Sequence, residues 1–135
     1  MSQRFFKYNI STVQSAQFVD ITHVVEQSLL ESKVKEGIAF VYCPHTTAGI
    51  TINENADPDV CRDILYALDK AYPQSGNYLH MEGNSHAHVK ASSMGSHCSV
   101  IISDGRLMLG TWQGIYFCEF DGPRERDVYV KILEG

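Results

Sequence analysis

Strand-type segments stand at both ends of this 135-residue chain and helix-type segments lie in its middle, a distribution that leaves few folds open to it. Residues 3 to 10 and 17 to 21 are rich in Phe, Tyr, Val and Ile, side chains that suit a pleated, half-buried surface, and Ser11 to Ala16 forms a polar connection between them. Near the other end, Ser99 to Ser103 and Arg106 to Leu109 flank Asp104-Gly105, a dipeptide that readily takes the positive φ angles of a type I′ hairpin turn. Ile115 to Phe120 and Asp127 to Leu133 supply two further strands. Between these ends, Val25, Leu29, Leu30 and Val34 recur at helical spacing, which predicts a helix over residues 22 to 36 with Thr22 as its cap and Gly37 as its left-handed C-terminal residue.

The continuous apolar run Ile38 to Cys43 reads as a buried strand broken at Pro44, and Ala48 to Asn53 as another, so His45 falls on a strand-to-strand connection. Asp57-Pro58-Asp59 is a strong helix start. Asp57 can accept a first-turn amide, proline tolerates the first helical position, and Asp59 favours the positive end of the helix dipole. This helix runs to about Tyr72, with Val60, Cys61, Ile64, Leu65 and Leu68 on one face. Asn84 or Ser85 caps a shorter helix through Met94, closed by Gly95. Strands at both ends with helices between favour an α+β fold over a doubly wound sheet.

With 44% hydrophobic residues, the chain can bury the core of one domain spanning 1–135. Its net charge of −5 offers no broad positive field for nucleic acid or an anionic membrane. No apolar run approaches the roughly 20 residues that a bilayer requires, and MSQRFFKYNIS has no cleavage pattern, which leads to an expected cytoplasmic location. Cys43, Cys61, Cys98 and Cys118 match neither a zinc-ribbon spacing nor a disulfide framework and read as buried, reduced thiols, with packing favoured over a nucleophilic role for Cys43.

Five of the six histidines lie between positions 45 and 97. Imidazole serves both as a neutral metal ligand and as a proton carrier near neutral pH, so this set suits either task, while each histidine also has a structural alternative as a hydrogen-bonded residue. His86 and His88 diverge by roughly 200° on a helix of 3.6 residues per turn. Only one of them therefore faces a site shared with His45 and His80, and the other is expected in solvent. His23 and His97 take the structural reading. Trp112, between Gly110 and Gly114, is read as a core aromatic in preference to a stacking wall. Glu119 and Asp121 fall on one face of a strand, suited to a divalent cation or a basic partner. After the Gly122-Pro123 turn, Arg124 and Arg126 offer paired donors for phosphate or carboxylate, with an ion pair to Asp121 as the alternative for this stretch. Glu54 and Asn55 contact a ligand or order the helix entry, and Lys90 and Arg106 are weaker cation candidates.

Together these residues resemble the YjbQ-like proteins, the secondary thiamine-phosphate synthase enzyme family. The resemblance rests on PHTTAGITINENADPDV at 44 to 60, HMEGNSHAHVKASSMG at 80 to 95 and DGRLMLGTWQGIYFCEFDGPRER at 104 to 126. It implies a mixed, mostly antiparallel sheet or sandwich with about three helices, assembled as a homotrimer, with a pocket where the three blocks meet. Motif matching implies that His45, His80 and His88 hold a divalent metal, zinc or magnesium. It also implies catalytic or outer-shell roles for Glu54, Glu82, Glu119 and Arg124, and substrate contacts for Asn55, Trp112, Gln113, Asp121 and Arg124. The implied activity joins a thiazole phosphate to a pyrimidine methyl diphosphate with release of pyrophosphate. A (β/α)₈ barrel needs about 200 residues or more, so a shared activity with barrel synthases would be convergent. Two other readings use the same residues: a zinc-dependent hydrolase of a small phosphorylated metabolite, and a non-enzymatic trimeric metabolite-binding protein.

Overall fold

The computed structural model describes residues 3–135, and among them two antiparallel sheets and three helices account for the regular structure. Strands β1 (Phe5–Ser11) and β2 (Gln17–Asp20) precede helix α1 (Thr22–Ser32); β3 (Gly37–Tyr42) and β4 (Ala48–Glu54) precede helices α2 (Pro58–Ala71) and α3 (Ser85–Met94). The chain then closes with β5 (His97–Ser103), β6 (Arg106–Leu107), β7 (Gln113–Glu119) and β8 (Glu125–Glu134). The five-stranded sheet has the order β1-β8-β3-β5-β6 and the three-stranded sheet the order β2-β7-β4. This is the α+β arrangement that the segment order implies.

Period-two alternation decides where the core lies. On β8, Val128, Val130 and Ile132 point inward and meet Ile115 and Phe117 of β7, Ile50 of β4, and Val25 and Leu29 of α1. The opposite face of β7 presents Tyr116 and Cys118, which with Phe120 just beyond the strand form a second, smaller core under α2 and α3. Helix α3 lies so close to β4 that a Cβ on Gly49 would stand 2.7 Å from the Gly95 carbonyl oxygen. The α2 helix is covered more thinly: no residue on it is fully buried, and only Cys61, Leu65 and Leu68 pack against the second core.

Local sequence signals set some of the helix ends and turns but not all of them. Asp57 caps α2 through its carboxylate, which accepts from the Asp59 amide at 2.9 Å. The β5-β6 turn is type I′ in character, with φ of 53° at Asp104 and 72° at Gly105. Helix α1, however, stops at Ser32 rather than at residue 36, because Lys33 takes the left-handed conformation at φ 61°. Thr22 is inside that helix, where its amide and hydroxyl both bind Asp20 Oδ1. Gly37 belongs to β3 instead of ending the helix. A Cβ there would stand 1.9 Å from the Leu133 carbonyl oxygen of the paired strand.

Candidate functional site

Three chain connections meet at the end of the three-stranded sheet where β4 begins and β7 finishes, since Ala48 pairs with Glu119. They are the β3-β4 connection with His45, the segment before α3 with Glu82 and Asn84, and the β7-β8 turn with Asp121 and Arg124. Together with His88 on α3, they line a cavity of about 330 Å³. That volume lies at the lower end of the range for small-molecule sites.

The floor of the cavity is a buried ion pair. Arg126 shares the inward face of β8 with Val128 and Val130, and it meets Glu119 on the inward face of β7. Both residues are almost fully buried, and the guanidinium binds both carboxylate oxygens, with the Nε contact at 2.8 Å. Glu119 also accepts from the Thr12 hydroxyl at 2.8 Å and the Asp121 amide at 2.9 Å, while Arg126 Nη2 reaches Thr47 Oγ1 at 2.9 Å. Burial pushes the Glu119 carboxyl upward, but the hydrogen bonds from Arg126, the Asp121 amide and Thr12 outweigh it and hold the group below the ordinary carboxylate range. Glu119 and Asp121 therefore do not form an outward carboxylate pair. Glu119 is committed to the interior, whereas Asp121 sits at the cavity wall.

His45 Nε2 accepts the Asp127 backbone N–H at 2.8 Å, which places the ring proton of the neutral imidazole on Nδ1. Burial, followed by the nearby Arg126 charge, lowers its pKa from 6.5. His80 and His88 stand edge to face with ring centroids 5.4 Å apart, and His80 Nε2 lies 3.8 Å from Glu82. His45 and His88 thus share the cavity, and His80 joins His88 on its outer side. This donor set does not fit a three-histidine metal centre within one chain, because the Nε2 lone pair of His45 is already engaged by Asp127. Among the described residues, no three His, Cys, Asp or Glu side chains are arranged to hold a metal ion.

Arg124 lies at the cavity rim and pairs with Asp121, through Nε to the backbone oxygen at 2.9 Å and Nη2 to Oδ2 at 3.2 Å. Arg124 thus makes its ion pair with Asp121 at the rim of the cavity. By contrast, Glu54, Asn55, Trp112 and Gln113 gather at the far end of β4 and β7, where Glu54 pairs with Gln113. Glu54 lies six positions along the strand from Ala48, roughly 20 Å. The Asn55 side chain takes the space that a Cβ on Gly114 would fill and its backbone N–H donates to the Trp112 carbonyl, while Gln113 Oε1 closes its own turn on the Gly110 backbone N–H. Trp112 is 63% exposed, so it is not a core residue, and it lines neither cavity at the histidine end.

Three further expectations change. His86 is half-buried rather than solvated, and Lys90 is 3% exposed and paired with Asp69. Cys61 and Cys98 are only half-buried, though all four cysteines are free. Burial pushes the Cys43 thiol up to about 11, which removes it as a nucleophile near neutral pH. Of the two arginines after the Gly122-Pro123 turn, Arg126 is the buried one. The available signal was its spacing: it falls in the alternating inward register of Val128, Val130 and Ile132, where an arginine requires a buried carboxylate.

These features define a class, an antiparallel α+β domain with a histidine, carboxylate and arginine cavity built from connections at one end of a three-stranded sheet. The chain belongs to the UPF0047 protein YjbQ-like family, whose sequence pattern matches residues 6–135. It is 56% identical over 128 residues to the UPF0047 protein MJ1081 of Methanocaldococcus jannaschii, covering 95% of this chain and 93% of that one. It is 55% identical to the UPF0047 protein YugU of Bacillus subtilis, covering 92% and 95% of the two chains. The crystal structure of an uncharacterized YjbQ/UPF0047 family protein from Clostridium acetobutylicum superposes with a TM-score of 0.94 at 62% identity, covering 95% of this chain and 99% of that one. A YbjQ-like protein of unknown function from Sulfolobus solfataricus superposes with a TM-score of 0.93 at 36% identity, covering 97% and 96%. Among the described residues no helix is long and apolar enough to cross a membrane.

Proposed function

We propose that the chain is an enzyme acting on a small phosphorylated metabolite in the His45 cavity, and that its reaction is the thiamine-phosphate-forming transfer implied by the family resemblance. The observation that carries this reading is the convergence of His45, His88, Glu82, Asp121 and Arg124 on one cavity from three separate connections. Arg124 is half exposed and retains donors beyond the two engaged by Asp121, so it can meet a phosphate oxygen at the rim. In the proposed transfer, the thiazole nitrogen attacks the pyrimidine methylene carbon, the carbon–oxygen bond breaks, and pyrophosphate leaves with the bonding electrons. The chain's own contribution is to hold the departing anion at Arg124, to supply a proton from His88, and to donate a hydrogen bond to the anion from the Nδ1–H of His45.

A homotrimer and a cytoplasmic setting belong to the same proposal. The thin cover over α2, with Leu79 and Met81 95% and 98% exposed, supports burial of this face by further copies of the chain. Four free cysteines support a reducing compartment.

The test is thiamine phosphate formation from the two phosphorylated precursors by the parent protein and by His88→Ala and Arg124→Ala. Loss of a positioned acid–base group is expected to lower kcat by about 10²–10⁴. Rates unaffected by both substitutions would overturn the reading, and tight retention of a metabolite without turnover would establish a binding protein in its place.

A further inference from the structure

Behind the His45 cavity lies a second one of about 600 Å³, lined among others by Asp69, Gln74, His86, Lys90 and Phe120. Glu82, Asn84 and Asp121 line both cavities and form their common wall. The Asn84 amide nitrogen donates to Asp121 Oδ2 at 2.9 Å and to Glu82 Oε2 at 3.3 Å, which uses both of its hydrogens. Its Oδ1 is buried and, among the described residues, has no donor; His86 Nδ1 is likewise buried without a partner. A buried polar atom left unpaired costs about 1–3 kcal/mol, so two of them beside one cavity call for a group that supplies hydrogen bonds. A cavity of this volume has room for a ligand group as well as for water.

Charge indicates what that group is. Asp69, Glu82 and Asp121 present three carboxylates around the second cavity against the single ammonium of Lys90, which is 3% exposed and already paired with Asp69. An anion entering there would meet more negative than positive charge. Asn84 Oδ1 accepts only, so it requires a donor from the ligand.

We infer that the second cavity receives the amine-bearing, uncharged or cationic end of a bipartite substrate whose phosphate lies at Arg124, on the other side of the Glu82-Asn84-Asp121 wall. This rests on the phosphate reading of the His45 cavity and adds the chemistry of the substrate's other end. It also gives the wall a function, which is to hold the two ends at a fixed separation.

Isothermal calorimetry with ω-aminoalkyl phosphates of increasing chain length, with inorganic phosphate and the matching alkylamines as controls, tests the inference on the intact protein. At the matching length, the aminoalkyl phosphate binds at least tenfold tighter than either half. His86→Phe reduces its affinity to that of phosphate, and Arg124→Ala reduces it to that of the amine. In the unsubstituted protein, the amine alone shifts the NMR signals of the His86 ring. Phosphate binding to which no amine at any length adds affinity, with the His86 signals unmoved, would overturn the second compartment and leave the first intact. An amine that shifts His86 while phosphate fails to bind would refute the phosphate reading instead and keep the amine compartment.

Discussion

Replacing Arg126 with methionine removes the only cation that contacts the buried Glu119 carboxylate among the described residues. The aliphatic stem is preserved, so the dominant effect is electrostatic. Breaking a buried pair by deleting one partner typically costs about 3–5 kcal/mol. Thr12 and the Asp121 amide still donate to Glu119, which places the expected loss at the lower end, about 3 kcal/mol. Set against a typical total stability of about 5–15 kcal/mol and a urea slope of about 1–3 kcal/mol per molar, this moves the unfolding midpoint down by roughly 1.5 M.

The pH dependence gives the sharper result. In the parent, Glu119 titrates below its unfolded value, so its contribution is present above the ordinary carboxylate range and is lost as pH falls through the depressed folded value. Without Arg126, burial dominates and the carboxyl titrates above its unfolded value, so the variant recovers stability relative to the parent as Glu119 protonates. Urea denaturation followed by circular dichroism at pH 7 and at about pH 5 measures both effects. A double variant, Arg126→Met with Glu119→Leu, is expected to be more stable than Arg126→Met alone, because no charge is then buried unpaired. A loss below about 1 kcal/mol, or a difference between variant and parent that does not shrink on acidification, would refute the assignment of this pair as the charged floor of the cavity.

The His45 imidazole is expected to titrate below 6.5 in heteronuclear NMR and to show the Nδ1–H tautomer at neutral pH; a signal from the opposite tautomer would rule out the Asp127 contact. Because its folded pKa is depressed, its share of stability is full above the unfolded value and disappears as pH falls through the folded one. Gly37→Ala should destabilise by about 1–3 kcal/mol or more, since its Cβ would force β3 away from the Leu133 carbonyl; a thermal midpoint within a degree or so of the parent would contradict the strand register. Native Cys43 should react slowly with a chromogenic disulfide near neutral pH and rapidly once the chain is unfolded, as expected for a thiol held near 11 by burial; fast modification in the folded state would reinstate it as a nucleophile.

Much of the fold was legible because its signals are local. The Asp57-Pro58 helix start, the Asp104-Gly105 turn and the apolar strand runs each depend on residues a few positions apart. Helix α1 was read too long because Val34 continues the apolar spacing after the backbone has already turned at Lys33. Helix periodicity separates His86 from His88 without any knowledge of what either ring meets.

By itself, the sequence determined the element types, the α+β class, the family motifs and the presence of His45 on a connection. Tertiary structure decided which motif residues work together. The sheet register carries Glu54, Asn55, Trp112 and Gln113 roughly 20 Å from Glu119 and Asp121, although all of them stand within the same motif blocks. It also brings Arg126, Thr47, Thr12 and Glu119 into one buried network from four separate segments. A strand run fixes which face a residue takes, but the charge opposite that face comes from another strand, and only pairing and burial determine whether an arginine meets a substrate or a carboxylate.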